Sequence, residues 1–107
     1  MDKADMFSAL HVPGDPLVLY NIWDAGSARA VADSGAKAIA TGSYGVAEAN
    51  GFTDGETLPL EVALENLHRI LSVTDLPVTI DMEAGYGATP EEVGASVARA
   101  FQAGAAG

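Results

Sequence analysis

Short apolar runs alternate with helix-patterned segments three times along this chain, and that alternation narrows the fold more than any other feature. Leu17-Val18-Leu19-Tyr20 follows Pro16 as an apolar run bounded by turn residues, the pattern of a strand buried on both faces. Asp24 stands where a helix cap belongs. It predicts a helix over Ala25–Ser34, with Gly35 as its stop and Ala28, Val31 and Ala32 as its apolar stripe. Ala36–Thr41 is the second predicted strand. The connection Gly42–Thr57 is long for a βα loop and contains a short helical turn around Ala47. Leu60, Leu64, Leu67 and Leu71, with Ala63 and Ile70 alongside, predict a helix over Pro59–Val73. Leu76–Ile80 is the third strand, and Gly85-Tyr86-Gly87 turns the chain. Thr89-Pro90-Glu91-Glu92 then opens a third helix: Thr89 caps, Pro90 takes the first position and Glu92 reaches back. Val93, Val97, Ala100 and Phe101 mark its buried side, and Gly104 ends it.

The order β-α-β-α-β-α predicts an α/β fold of parallel strands joined by right-handed crossovers. The junction Ser34-Gly35-Ala36-Lys37-Ala38 is echoed by Ala103-Gly104-Ala105-Ala106-Gly107, so a fourth strand is due where the sequence stops. Three parallel strands do not close a barrel. The expected architecture is therefore the first part of a (β/α)₈ TIM-type barrel, which needs about 250 residues. On this expectation residues 1–107 form a single partial domain that stops before the fourth strand. An open three-stranded sheet is the alternative.

Composition removes several classes of function. Fifteen acids face five bases, a net charge of −10, and nucleic-acid binding needs the opposite sign. There is no cysteine, hence no disulfide, zinc–thiolate site or thiol nucleophile within these residues. No apolar run reaches membrane-spanning length. Met1–Leu10 carries Asp2, Lys3 and Asp5 and lacks the apolar centre of an export signal, so the expectation is a cytoplasmic protein that meets neither nucleic acid nor membrane.

Parallel α/β sheets bind ligands at the C-terminal ends of their strands. Asn21–Asp24, Gly42–Gly55 and Asp81–Gly87 fall there. If side chains alternate through Thr79-Ile80-Asp81-Met82-Glu83, Asp81 and Glu83 point the same way. Two such carboxylates suit a hard cation such as Mg²⁺, and equally a pair of solvated charges with Asp81 bonded to loop amides. Gly42-Ser43-Tyr44-Gly45 reads as a turn whose N–H groups hold an anion, or as an ordinary loop. Asp54 is a turn residue or a loop acid aimed at the site. The glycines around Gly85-Tyr86-Gly87 do not form a dinucleotide fingerprint, because Pro90 stands where the third glycine belongs. His68 falls on the polar side of its helix, and His11 carries no signal.

Three motifs resemble one known family. Asn21-Ile22-Trp23-Asp24-Ala25-Gly26-Ser27-Ala28-Arg29 resembles the first βα junction of the isocitrate lyase/phosphoenolpyruvate mutase superfamily. Gly51-Phe52-Thr53-Asp54 is similar to that family's Gly-x-x-Asp loop, and Asp81-Met82-Glu83-Ala84-Gly85-Tyr86-Gly87 to its Asp-x-Asp-x-Gly-Tyr/Phe-Gly signature. Order and spacing agree from about Leu17 to Gly107. The resemblance implies a (β/α)₈ barrel enzyme that binds Mg²⁺ and a small α-keto carboxylate or its enolate. Such an enzyme makes or breaks a C–C or P–C bond. Carried over, Asp81 and Glu83 hold the metal, Gly42, Ser43 and Tyr44 receive the substrate carboxylate, and Asp54 is the loop acid near both. The expected activity is a Mg²⁺-dependent C–C lyase, with phosphonomutase or oxaloacetate decarboxylase next, in a homo-oligomer. An anion-binding or assembly module without catalysis is the rival.

Three departures accompany it. Glu83 replaces the usual Asp. Gly42-Ser43 stands where many members have Ser-Gly. A further metal-directed Glu and the catalytic Cys of the lyases fall beyond Gly107. No catalytic residue is assigned within these residues.

Overall fold

A computed structural model describes residues 1–107. The elements run α1 (Lys3–Ala9), β1 (Asn21–Ile22), α2 (Ala25–Asp33), β2 (Ile39–Thr41), α3 (Ser43–Ala49), α4 (Leu60–Leu71), β3 (Val78–Thr79) and α5 (Pro90–Ala103). The strands form one parallel sheet in the order β1-β2-β3, as the alternation predicts. Ala106 donates its N–H to the Val78 carbonyl at 2.7 Å, and Ile80 donates to Gly107 at 3.0 Å, so the last residues continue the ladder beyond β3. No helix is long and apolar enough to cross a membrane.

Ile22, Ile39 and Val78 from the three strands meet Ala28, Leu67, Ile70 and Ala100 from α2, α4 and α5 in one core. These side chains are almost wholly removed from water. A smaller cluster of Val46, Leu58 and Ala63 seats α3 against the start of α4.

The helix ends follow local chemistry. Asp24 caps α2 by accepting the Ser27 N–H at 2.8 Å, while the Ser27 hydroxyl accepts the Asp24 N–H at 3.1 Å. Thr89 accepts the Glu92 N–H at 3.2 Å, with Pro90 in the first turn. Glu92 reaches one residue further than expected, to the Ala88 N–H at 2.6 Å. Gly104 ends α5 with a left-handed φ of 113°.

Several expectations move. The first paired strand is Asn21–Ile22, not Leu17–Tyr20. Asn21 pairs with Ala40 and Ile22 with Thr41, and in that register Leu17–Leu19 falls opposite the bend at Ala36–Ala38, where no ladder exists. Val18 and Tyr20 are 66% and 71% exposed. Gly42–Tyr44 is not a loop: Gly42 caps α3, which runs two turns rather than one. Pro59 sits at the cap of α4, just outside the first turn. On α5 the buried line is Ser96 and Ala100, four residues apart; Phe101 lies about 100° further round and is half exposed. The chain also begins with a helix that its short apolar pattern did not announce. Asp2 and Asp5 form its capping box, and the Phe7 ring lies against Gly107.

The Asp24 cap gives a testable consequence. The Ser27 amide, and then the Ser27 hydroxyl, hold the Asp24 carboxyl below its ordinary value. A carboxyl depressed in the folded state stabilises it fully above its unfolded value, about 3.9, and loses that contribution as pH falls through the folded value. Asp24→Ala should therefore cost about 1 kcal/mol at pH 7 and progressively less below pH 4. Asp24→Asn should cost less and flatten the pH dependence. Urea unfolding of the full-length protein across pH 3–7 checks both.

Candidate active site at the strand ends

Beyond the C-terminal ends of β2 and β3 the chain gathers acids and no base. Asp81 lies two residues past β3 and is tied in three directions. Its N–H donates to the Thr41 hydroxyl at 3.0 Å. Its Oδ2 accepts the Ser43 N–H at 3.1 Å, and its Oδ1 accepts the Glu83 N–H at 2.9 Å. Glu83 Oε1 accepts two amides of a distant loop, Gly55 at 2.8 Å and Glu56 at 2.9 Å. The Glu56 carboxylate answers by accepting the Ala84 N–H at 2.7 Å. The Tyr86 hydroxyl points at Glu83 Oε2 from 3.4 Å.

Asp81 and Glu83 thus line one small cavity together with Ser43, Thr41 and Tyr86. Strand alternation is not what brings them together. The paired strand ends at Thr79, and Glu83 adopts a left-handed backbone with φ of 54°. Asp54 approaches the same place. The Ser43 hydroxyl, with Glu83 alongside, holds its carboxyl below the ordinary carboxylate value, so Asp54 is ionised at neutral pH. Burial, reinforced by the charge of Glu83 and Glu56, pushes the Tyr86 phenol up to about 12. Tyr86 is therefore a hydrogen-bond donor across the physiological range.

Of the expected carboxylate-receiving amides, two have partners within the chain. Gly42 N–H donates to the Ile22 carbonyl at 3.2 Å, and Ser43 N–H donates to Asp81. The Tyr44 N–H, at the second position of α3, has no partner within the helix. The Ser43 hydroxyl stands toward Asp54. A larger groove, lined by Leu10, Leu17, Val18, Tyr20 and Val31, runs beside β1 and contains none of the candidate site residues.

The donor set fits a hard cation in one particular way. It offers oxygen only, and each Asp81 oxygen accepts a single N–H, leaving a lone pair free. No three acids or histidines converge as a closed cage. This suits Mg²⁺, which binds through one or two carboxylates and keeps several waters, better than a cation that demands many protein ligands.

Residues outside the expected set also build the site. Glu56 is one; nothing in Asp54-Gly55-Glu56 reveals where its carboxylate goes. Asn66 is another. It is buried between Ala63 and Ile70 on the apolar face of α4 and donates to the Trp23 carbonyl at 3.0 Å. A polar residue on that stripe was the available signal. Ser96, buried on α5, donates to the Tyr86 carbonyl at 2.9 Å and anchors the turn from behind.

Parallel strands backed by helices, with the polar site at the strands' C-terminal ends, define an α/β protein. The family model for phosphoenolpyruvate phosphomutase matches residues 7–107, and the chain belongs to that family, within the PEP mutase/isocitrate lyase superfamily. A crystal structure from Burkholderia cenocepacia J2315, provisionally described as a phosphonomutase, is 56% identical with a TM-score of 0.92, over 96% of this chain and 41% of that one. 2,3-Dimethylmalate lyase, a PEP mutase/isocitrate lyase superfamily member, is 26% identical with a TM-score of 0.84, over 99% of this chain and 36% of that one. An uncharacterized protein of Mycobacterium tuberculosis (strain ATCC 25618 / H37Rv) is 37% identical over 92% of this chain. The chain spans 38% of that relative's length. Its three strands correspond to the first part of the barrel.

The turn after β3 leaves no room for a side chain at Gly87. A Cβ on Gly87 would lie 2.6 Å from the Val93 nitrogen and 2.7 Å from the Glu92 Cβ, both fixed by the start of α5. Gly87→Ala should destabilise the full-length protein by about 1–3 kcal/mol. Gly94, in the interior of α5, has open space where its Cβ would go, and Gly94→Ala should stabilise by about 0.5–1 kcal/mol. Thermal melts of the two variants give opposite signs if this geometry is right.

Proposed function

We propose that this chain belongs to a Mg²⁺-dependent enzyme that cleaves or forms a C–C bond next to a small α-keto or hydroxy carboxylate, through an enolate. The observation that supports it most is the meeting of Asp81, Glu83, Asp54 and Ser43 at the strand ends with no basic side chain among them. A second reading, transfer at a P–C bond, draws support from the 56% identical neighbour described as a phosphonomutase.

Asp81 and Glu83 would hold the metal. Bound there, Mg²⁺ supplies positive charge to the oxygen on which enolate charge develops. Thr41 and Ser43 hold Asp81 in place beforehand, so little reorganisation is left for the reaction. The Tyr44 N–H would receive the substrate carboxylate, while the Ser43 hydroxyl stays with Asp54. Tyr86, protonated at neutral pH, would donate a hydrogen bond at the mouth.

In the full-length protein, Asp81→Ala should lower Mg²⁺-dependent turnover by about 10²–10³-fold while near-UV circular dichroism stays native. Calorimetric Mg²⁺ titration should show the metal affinity lost with it. Full activity of Asp81→Ala at low Mg²⁺ would sink the assignment. Phosphorus NMR with phosphoenolpyruvate, run beside an assay for keto-acid release, separates the two readings.

A further inference from the structure

Two loops that carry candidate site residues hold each other through their side chains. The segment after Phe52 leaves the small core formed by Val46, Leu58 and Ala63 and returns to it at Leu58. Between these anchors residues 53–57 are largely exposed. The Thr57 hydroxyl bonds to the Thr53 carbonyl, but that contact is internal. Apart from the approach of Asp54 to Ser43 and Glu83, only three hydrogen bonds tie this segment to the rest of the protein. Two run from the Gly55 and Glu56 amides to Glu83 Oε1; the third runs from the Ala84 amide to Glu56 Oε2.

The exchange is reciprocal: each glutamate accepts backbone N–H groups from the other's loop. Both hold a left-handed backbone, with φ of 62° at Glu56 and 54° at Glu83, a conformation that side-chain-bearing residues adopt only under constraint. The two amides that Glu83 accepts immediately follow Asp54 in the chain. Fixing them fixes where the Asp54 carboxylate stands.

We propose that Glu56 and Glu83 form a clasp that positions Asp54, with Glu56 a positioning residue and Glu83 dividing its carboxylate between loop and site. Oε1 serves the loop amides, and Oε2 remains on the site side near Tyr86. A shorter aspartate at position 83 draws the carboxylate back by one methylene, away from both amides. The clasp rests on the reading of Asp54 as a site residue; its structural part is measurable without any activity.

The test uses the full-length protein and four forms: wild type, Glu56→Ala, Glu56→Gln and Glu83→Asp. Hydrogen–deuterium exchange is followed without metal on peptides covering residues 53–57 and 83–86. Glu56→Ala and Glu83→Asp should exchange there about tenfold faster, with protection of α4 and α5 unchanged. Glu56→Gln keeps an acceptor for the Ala84 N–H and should restore slow exchange. In steady state, Glu56→Ala should lose about 10–100-fold in kcat with the Mg²⁺ requirement unaltered, and Glu56→Gln should recover most of it. Unchanged exchange in both Glu56→Ala and Glu83→Asp overturns the clasp. Faster exchange with unchanged kcat overturns the positioning role. A wild type inactive on both C–C and P–C substrates refutes the functional reading, and the exchange data still decide the clasp.

Discussion

The site depends on the hydrogen bonds that converge on Asp81. Its backbone reaches the end of β2, one carboxylate oxygen reaches the start of α3, and the other reaches the turn that follows β3. These partners lie 40, 38 and two residues away along the chain. The parallel register of β2 and β3 brings the two distant ones within reach. Ile39 pairs with Val78 and Ala40 with Thr79, which sets Thr41 beside the exit of β3, where Asp81 emerges. Ile39 and Val78 are themselves fully buried, so a one-residue slip would remove two large side chains from the core. Burial on the helix side of the sheet thus fixes the geometry of a polar cluster at its end.

That cluster is held by amides. Asp81 and Glu83 line the cavity, Asp54 and Glu56 stand on the loop that meets them, and the only side-chain ion pair, Arg99 with Glu61, lies elsewhere on the surface. Ser43, Gly55, Glu56, Glu83 and Ala84 all donate to these carboxylates. Aiming so many amides inward bends the backbone into unusual conformations. Glu56, Glu83 and Tyr86 are the three non-glycine residues with positive φ, and all stand here. Conformations that cost about 1–3 kcal/mol each survive where surrounding bonds over-determine them. Ser96, buried on α5, holds the Tyr86 carbonyl from outside the cluster and is part of that determination.

Local chemistry was the most legible layer of the sequence. Asp24, Thr89-Pro90 and Gly104 mark helix ends because capping involves residues three or four apart, and these residues do in the structure what their types predict. Strand type and order were legible for a different reason: apolar runs between helical stripes leave few parallel arrangements. The extent of pairing was not. Leu17–Tyr20 has the composition of a strand, but pairing needs a neighbour, and opposite Val18 and Leu19 the chain bends at Lys37 and Ala38. The opening helix was hidden by a short stripe of Met6, Phe7 and Leu10, although its Asp2–Asp5 capping pair stood in view.

The candidate site shows the same division. Residue types and spacing placed Asp81, Glu83, Asp54 and Ser43 at the strand ends. They left unstated how the four meet, because the contacts that join them are between side chains and amides of loops remote in sequence. Such contacts leave no periodic trace. Glu83 illustrates the limit: as a departure from the usual Asp it reads as a longer reach toward a metal. In the structure the added length meets two amides of the loop that carries Asp54. A substitution at a ligand position therefore has to be read against every group within reach of the new side chain. Here the longer side chain lets one carboxylate bridge two loops.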